Sequence, residues 1–270
     1  MTKVQIKAVL AKHLAWLKNP NDGERANLRG SDLSDSDLSD SDLRGSDLRG
    51  SNLRGSNLRG SNLRGSDLRG SNLRGSDLRG SDLSDSNLRG SDLSDSDLSG
   101  SDLRGSDLSG SNLRGSNLSG SNLRGSDLSD SDLRGSNLSG SDLRGSNLSG
   151  SNLSGSDLRG SDLSDSNLSG ANLPKAPIVQ HLDREIYARV MDGEHLRMDN
   201  WHTCEMTHCR GGWAVLLAGA PGKELEIANG TAVAASLIYH ASTGRVPDFY
   251  ASDEVALADL KKCAAKDKTP

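Results

Sequence analysis

Between residues 26 and 175, leucine returns at every fifth position, from Leu28 to Leu173, thirty times without a gap. No other feature constrains the fold so tightly. A period of five fits neither the 3.6-residue turn of a helix nor the two-residue pleat of a strand. A helix would scatter these leucines around its axis and would carry glycine or aspartate inside every unit, which helices disfavour. A straight strand would send successive leucines to opposite faces. A chain that turns a corner in each unit points every leucine inward and leaves the other side chains to water. The rest of the unit agrees: Ser, then Asp or Asn, then Leu, then Arg or Ser, then Gly or Asp. Ala replaces Ser at Ala26 and Ala171, and the last unit ends in Pro174-Lys175. The Gly positions read as corners that need conformational freedom. Aspartate at the fifth position always follows Ser and never Arg. Units this alike suggest an array grown by duplication, or one written to a consensus.

These units resemble the pentapeptide-repeat family, whose pattern is Ala, Asp or Asn, Leu and two variable residues. The resemblance covers residues 26–175. It implies an all-β fold, a right-handed quadrilateral β-helix with four units per coil and about 7.5 coils. At about 4.8 Å per stacked strand such a rod is roughly 36 Å long. Its core would be columns of leucine at every twentieth residue, such as Leu28, Leu48, Leu68, Leu88, Leu108, Leu128, Leu148 and Leu168. Each fully buried leucine contributes about 1.5–3 kcal/mol. No coil hides its own leucines from above and below, so the ends need caps. The departure from the family is Ser for Ala at the inward-facing first position. Buried hydroxyls need partners, so each Ser is expected to donate to a backbone carbonyl at its corner.

The flanking segments, 1–25 and 176–270, have a different composition. Ile6, Val9, Leu10, His13, Leu14 and Leu17 follow helical spacing. Thr2 and Gln5 fit a capping box, and Asn19-Pro20 ends the helix. This helix is expected to lie across the first coil. Residues 176–270 hold all three Tyr, the one Phe and all three Cys. They read as a small α-helical domain or cap, with helices near 183–192, 208–219, 223–242 and 252–266. In the last of these, Ser252 is the expected N-cap and Val255, Leu257 and Leu260 the apolar members.

The densest chemical cluster runs from Trp201 to Trp213. His202, Cys204, His208 and Cys209 are candidate zinc ligands, but there is no C-x₂-C pair, and adjacent His208 and Cys209 suit a single ion poorly. Cys209 near a helix start is a candidate nucleophile, with no Asp or Asn assignable to it. The plainer reading makes the cysteines small hydrophobes and the tryptophans core. The expectation is therefore no metal, no cofactor and no catalysis. The chain has no run of 18 apolar residues and no continuous apolar stretch near its start, so neither a membrane span nor a leader is expected, and its three Cys, an odd number with none in the repeats, fit a reducing cytoplasmic setting.

Some members of the resembled family are thought to mimic DNA and bind type II topoisomerases such as gyrase. Counting charge tests this idea. The repeats carry 16 Arg and one Lys against 22 Asp, a net −5. Duplex DNA of similar length would carry roughly 21 negative charges. Grouped by face, no side of the rod exceeds −2. The expected role is thus a non-enzymatic scaffold, spacer or protein-interaction module, with DNA mimicry as the alternative. Partners would be proteins met through residues 176–270, a second copy through the helical end included, and no direct contact with nucleic acid is expected.

Overall fold

The computed structural model describes residues 1–192, 195–196 and 207–266. Residues 26–172 form a solenoid in which each second-position residue bridges, in parallel, the one twenty residues on. The bridges run from Asn27 with Asp47 to Asn152 with Asn172. One turn of the solenoid therefore consumes four units.

The backbone bonds explain why five residues suffice. The N–H of Leu28 donates to the Asp47 carbonyl of the next turn at 2.7 Å, and the N–H of Asp47 donates back to Ala26 at 3.0 Å. Between these bridges, Ser31 N–H donates to the Leu28 carbonyl at 3.0 Å and closes a four-residue turn. Gly30, third in that turn, has φ +63°, as a type II turn requires. The same geometry recurs to the last units. All leucines from Leu28 to Leu168 are 0–1% exposed, and Leu173 packs against the core from its edge.

The serine expectation holds for part of the array. At 19 first positions the hydroxyl donates to the carbonyl of the leucine three residues earlier, at 2.5–2.7 Å; Ser76 to Leu73 and Ser161 to Leu158 are examples. It fails at Ser46, Ser51, Ser56, Ser61, Ser66, Ser71 and Ser111, whose buried hydroxyls have no partner. The backbone is the same at both kinds of site, Ser46 N–H meeting the Leu43 carbonyl at 3.0 Å and Ser106 N–H the Leu103 carbonyl at 3.1 Å, so the difference lies in the rotation of the hydroxyl.

Helix α1 (Lys3–Lys18) covers the first turn. Thr2 and Gln5 form a reciprocal capping box, and Asn19 ends the helix in an extended conformation. Ile6 and His13 are buried, with Val9 and Leu10 packed against the core. Leu14, placed on the apolar stripe by its spacing, is 45% exposed. The chain doubles back against α1 so closely that a Cβ on Gly23 would collide with the Lys12 carbonyl. That return brings the Ala26 N–H to His13 Nδ1 at 3.1 Å.

Beyond the repeats come α2 (Leu182–Met191), a parallel pair of two-residue strands, β1 (His195–Leu196) and β2 (Thr207–His208), then α3 (Arg210–Leu217), α4 (Gly219–Asn229), α5 (Thr231–Thr243) and α6 (Asp253–Lys266). Two expectations are corrected here. The single helix expected over 223–242 is two helices broken at Gly230, whose φ is +86°, a conformation that glycine alone adopts readily. Val255, expected to be apolar packing, is 59% exposed, while Ala256, Leu260 and Ala264 face the core. The β1–β2 pair carries no periodic signal in two residues and was not expected. The buried residues of these helices join the leucine columns in one continuous cluster.

Candidate functional site

Two regions concentrate polar chemistry: the flanks of the solenoid and the junction of α2, α3, α5 and α6. On the flanks, each second-position carboxylate or amide closes its own corner. Asp47 Oδ1 accepts the N–H of Arg49 at 3.2 Å, and Asn52 Oδ1 accepts that of Arg54 at 3.2 Å. Where Asp precedes Arg in one unit, the guanidinium forks onto the same carboxylate. Arg79 Nε donates to Asp77 Oδ1 at 2.8 Å and Nη2 to Oδ2 at 2.5 Å. The equivalent fork from Arg49 holds the Asp47 carboxyl down at about 2. All eight Ser-Asp-Leu-Arg-Gly units make this fork. Stacked carboxylates share an arginine, as Arg144 reaches Asp162 of the next turn at 3.4 Å. Amides bridge turns too, Asn52 donating to Asp32 at 3.0 Å. Most of these pairs are open to water and each contributes little to stability.

The junction of the helices is different, because two of its charges, Arg210 and Asp183, are buried, with Arg245 and Asp259 partly exposed beside them. Arg210 is 1% exposed. Its Nε donates to Tyr239 Oη at 2.8 Å, Nη1 to Asp259 Oδ2 at 2.5 Å and Nη2 to Asp183 Oδ1 at 2.6 Å. Arg245 reaches the same two carboxylates, Asp183 at 2.8 Å and Asp259 at 3.0 Å, and donates to Cys263 Sγ at 3.2 Å. Burial alone would lower the Arg210 pKa, but Tyr239 and Asp183 drive it above its ordinary value. Burial raises the Tyr239 phenol well above its ordinary value despite the arginine beside it. Burial pulls Asp259 upward, and the two arginines outweigh it and leave its pKa lowered. Two guanidiniums thus meet two carboxylates, with all three nitrogens of Arg210 engaged. Such a closed set fixes which helices adjoin, since removal of one member strands a buried charge. A polar cleft of about 400 Å³ borders it, lined by His181, Asp183, Thr243, Arg245 and Cys263 among others. Sequence reasoning passed over this network. Its one local signal is Arg210, a charge opening the otherwise apolar helix α3.

Of the candidate ligands, His202 and Cys204 lie outside the described residues, as does the side chain of His208. Cys209 is fully buried at the N-cap of α3, where its Sγ accepts the Gly212 N–H at 3.3 Å. Burial pushes its thiol above the ordinary range, which opposes the nucleophile reading. Among the described residues no group of three or more His, Cys, Asp or Glu is placed to hold a metal ion.

The helices also close the solenoid. The last turn has N–H groups with no further turn to receive them. Gly160 N–H donates to the Asn229 carbonyl at 3.2 Å and Asp165 N–H to the Pro247 carbonyl at 3.4 Å. Arg144 lies over the Tyr250 ring at 5.9 Å.

A family model described as pentapeptide repeats matches residues 24–60, 56–95, 96–135 and 136–174. No curated protein matches. Among solved structures, HetL from the cyanobacterium Nostoc sp. strain PCC 7120, a protein involved in heterocyst differentiation regulation, is similar at 26% identity over 58% of this chain and 92% of that one, with a TM-score of 0.34. The protein alr5209 of the same organism is similar at 33% identity over 46% and 78%, with a TM-score of 0.30. QnrB1, a plasmid-mediated fluoroquinolone resistance protein, is similar at 22% identity over 57% and 80%, with a TM-score of 0.33.

Proposed function

The chain belongs to the pentapeptide-repeat family, and from that premise we propose that it works without catalysis, as a rigid rod whose helical end recognises another protein. In this reading residues 26–175 form a right-handed, four-sided β-helix of about 7.5 coils, at four units per coil. Residues 1–25 cap one end, residues 176–270 form the recognition end, and the setting is the cytoplasm.

One observation carries the reading. Among the described residues, every exposed large apolar side chain lies outside the repeats. Met1, Val4 and Leu14 are at one end; Ile178, Met191, Leu216, Ile227, Tyr250 and Val255 are at the other. The flanks offer one small polar alphabet whose members already bond one another, whereas protein recognition draws on clustered apolar anchors.

Affinity capture with the full chain tests this. Leu216→Glu with Ile227→Glu is expected to abolish a partner's binding, and Arg134→Ser with Arg159→Ser to leave it intact. The opposite pattern would assign recognition to the flanks. A DNA-supercoiling assay separates the reading from DNA mimicry: gyrase activity is expected to be unchanged by the full chain, and inhibition would favour the mimic.

A further inference from the structure

Counted around the rod, charge is nearly even; counted along it, charge falls into bands. Residues 26–40 carry four Asp and one Arg. Residues 41–80, two complete turns, carry an Arg in every unit, eight in all, against four Asp. Residues 81–100, the next turn, carry five Asp and one Arg. The bands therefore run −3, +4 and −4, and the remaining repeats add −2. The side chains that set them stand in water: Arg64 and Arg74 are 63% and 59% exposed, and Asp85 and Asp95 are 61% and 62% exposed. Arg64 and Arg74 lie 3.4 Å from Asp85 and Asp95 across the band boundary. Exposed pairs of this kind are individually weak and exchange readily, so they do not erase the bands.

From this pattern we infer that the solenoid flank is a pairing surface for a second, antiparallel copy of this chain. The centres of the basic belt and the acidic ring are one and a half turns apart, about 7 Å at the stacking distance of parallel strands. A two-fold axis near residue 76 sets each belt against the other copy's ring, twice over, in a closed isologous pair. The same operation sets the acidic first units, residues 26–40, against residues 112–126, which carry Arg114 and Arg124 and no Asp. Parallel rods in register would oppose belt to belt. The contact is narrow and polar, so charge sets its register and encounter rate more than its strength. Such a pair directs its two helical recognition ends in opposite directions and makes the rod a bivalent connector. The pairing does not depend on what those ends bind.

Sedimentation velocity on the full chain tests it. A dimer is expected in about 10 mM salt, with a Debye length of about 30 Å, and a monomer in about 1 M salt, at about 3 Å. Replacements drawn from the array's own alphabet keep the fold. On one face of the rod, Arg54→Ser with Arg74→Ser, or Asp92→Asn with Asp95→Gly, are each expected to weaken the dimer at least tenfold, and circular dichroism verifies that the solenoid persists. Small-angle scattering of the low-salt dimer is expected to give a particle longer than one chain. A monomer in low salt, a dimer indifferent to salt and to both variants, or a dimer no longer than the monomer would each overturn the inference; the second would point to the helical ends.

Discussion

Serine in place of alanine at the inward position has a cost that differs along the rod, and the difference can be measured. Ser46, Ser51, Ser56, Ser61, Ser66 and Ser71 are each 0–1% exposed and their hydroxyls lack partners. Ser116, Ser121, Ser126, Ser131, Ser136 and Ser141 are as deeply buried, and each donates to a leucine carbonyl at 2.6–2.7 Å. A buried hydroxyl without a bond costs about 1–3 kcal/mol, whereas a bonded one contributes about 0.5–1.5 kcal/mol net. Replacing the first six by Ala is therefore expected to stabilise the chain by roughly 6 kcal/mol, taking the low end for each site. Replacing the second six is expected to leave stability unchanged or to reduce it. Urea unfolding followed at Trp16 and Trp213 reads the two ends separately, which matters because repeat arrays need not unfold in one step. Midpoints that move in opposite directions support the argument. Midpoints that move together by similar amounts refute it, because the rotation of the hydroxyls would then carry no energetic weight.

Two further outcomes follow from particular side chains. His13 is fully buried, stacked on Trp16 at 5.5 Å, and accepts the Ala26 N–H. Burial pushes its pKa below the usual 6.5 against the pull of Asp42. The unfolded chain thus takes up this proton first, so the stability from His13 is complete above about pH 6.5 and declines as pH falls toward the folded-state value. Trp16 fluorescence in mild urea is expected to show this decline as the pH falls below about 6.5 and to lose it in His13→Asn; an identical profile in the variant would exclude His13 as its source. At the corners, Gly150→Asp is expected to cost about 1 kcal/mol more than Gly120→Asp, because a carboxylate at 150 meets that of Asp130. Equal midpoints for the two variants in urea would remove the steric argument.

The solenoid was legible because one residue type at one period leaves the backbone a single way to bury it. The Thr2–Gln5 capping box was legible for the same reason: its bonds lie within one helical turn and its residue types are specific to it. Long-range chemistry was not legible. Arg210, Asp183, Arg245 and Asp259 are separated by up to 76 positions, and nothing in their spacing brings four helices to one point. Leu14 fits the helical stripe as well as Leu10 does, yet Leu10 packs against the core and Leu14 is exposed. The unbonded serines have the same neighbours in sequence as the bonded ones, so no local pattern distinguishes them. Counting charge by face hid the bands, since a face samples every turn and averages them.

The corners show how a uniform alphabet can still dictate order. Aspartate holds the left-handed corner at six places, with φ between 52° and 58°. Its carboxylate projects toward the corner of the following turn, where a Cβ would sit 2.5 Å from Asp35 Oδ1 at Gly55 and from Asp40 Oδ1 at Gly60. Accordingly Asp35, Asp40, Asp85, Asp95 and Asp130 all have glycine twenty residues on. The sixth, Asp165, lies in the last turn, where the carbonyl of Pro247 accepts its N–H and residues of the cap adjoin it. Burial there and the nearby Asp248 raise the Asp165 pKa. Units of this array are therefore not interchangeable. Each corner aspartate restricts the unit four places later, and the last one is fitted to the helical end. Duplication of a whole turn keeps this rule only where its four corners are all glycine, as in residues 41–60; duplication of a turn that holds a corner aspartate sets that aspartate against its own copy twenty residues on, and extension by a single unit breaks the rule unless the new neighbour is glycine.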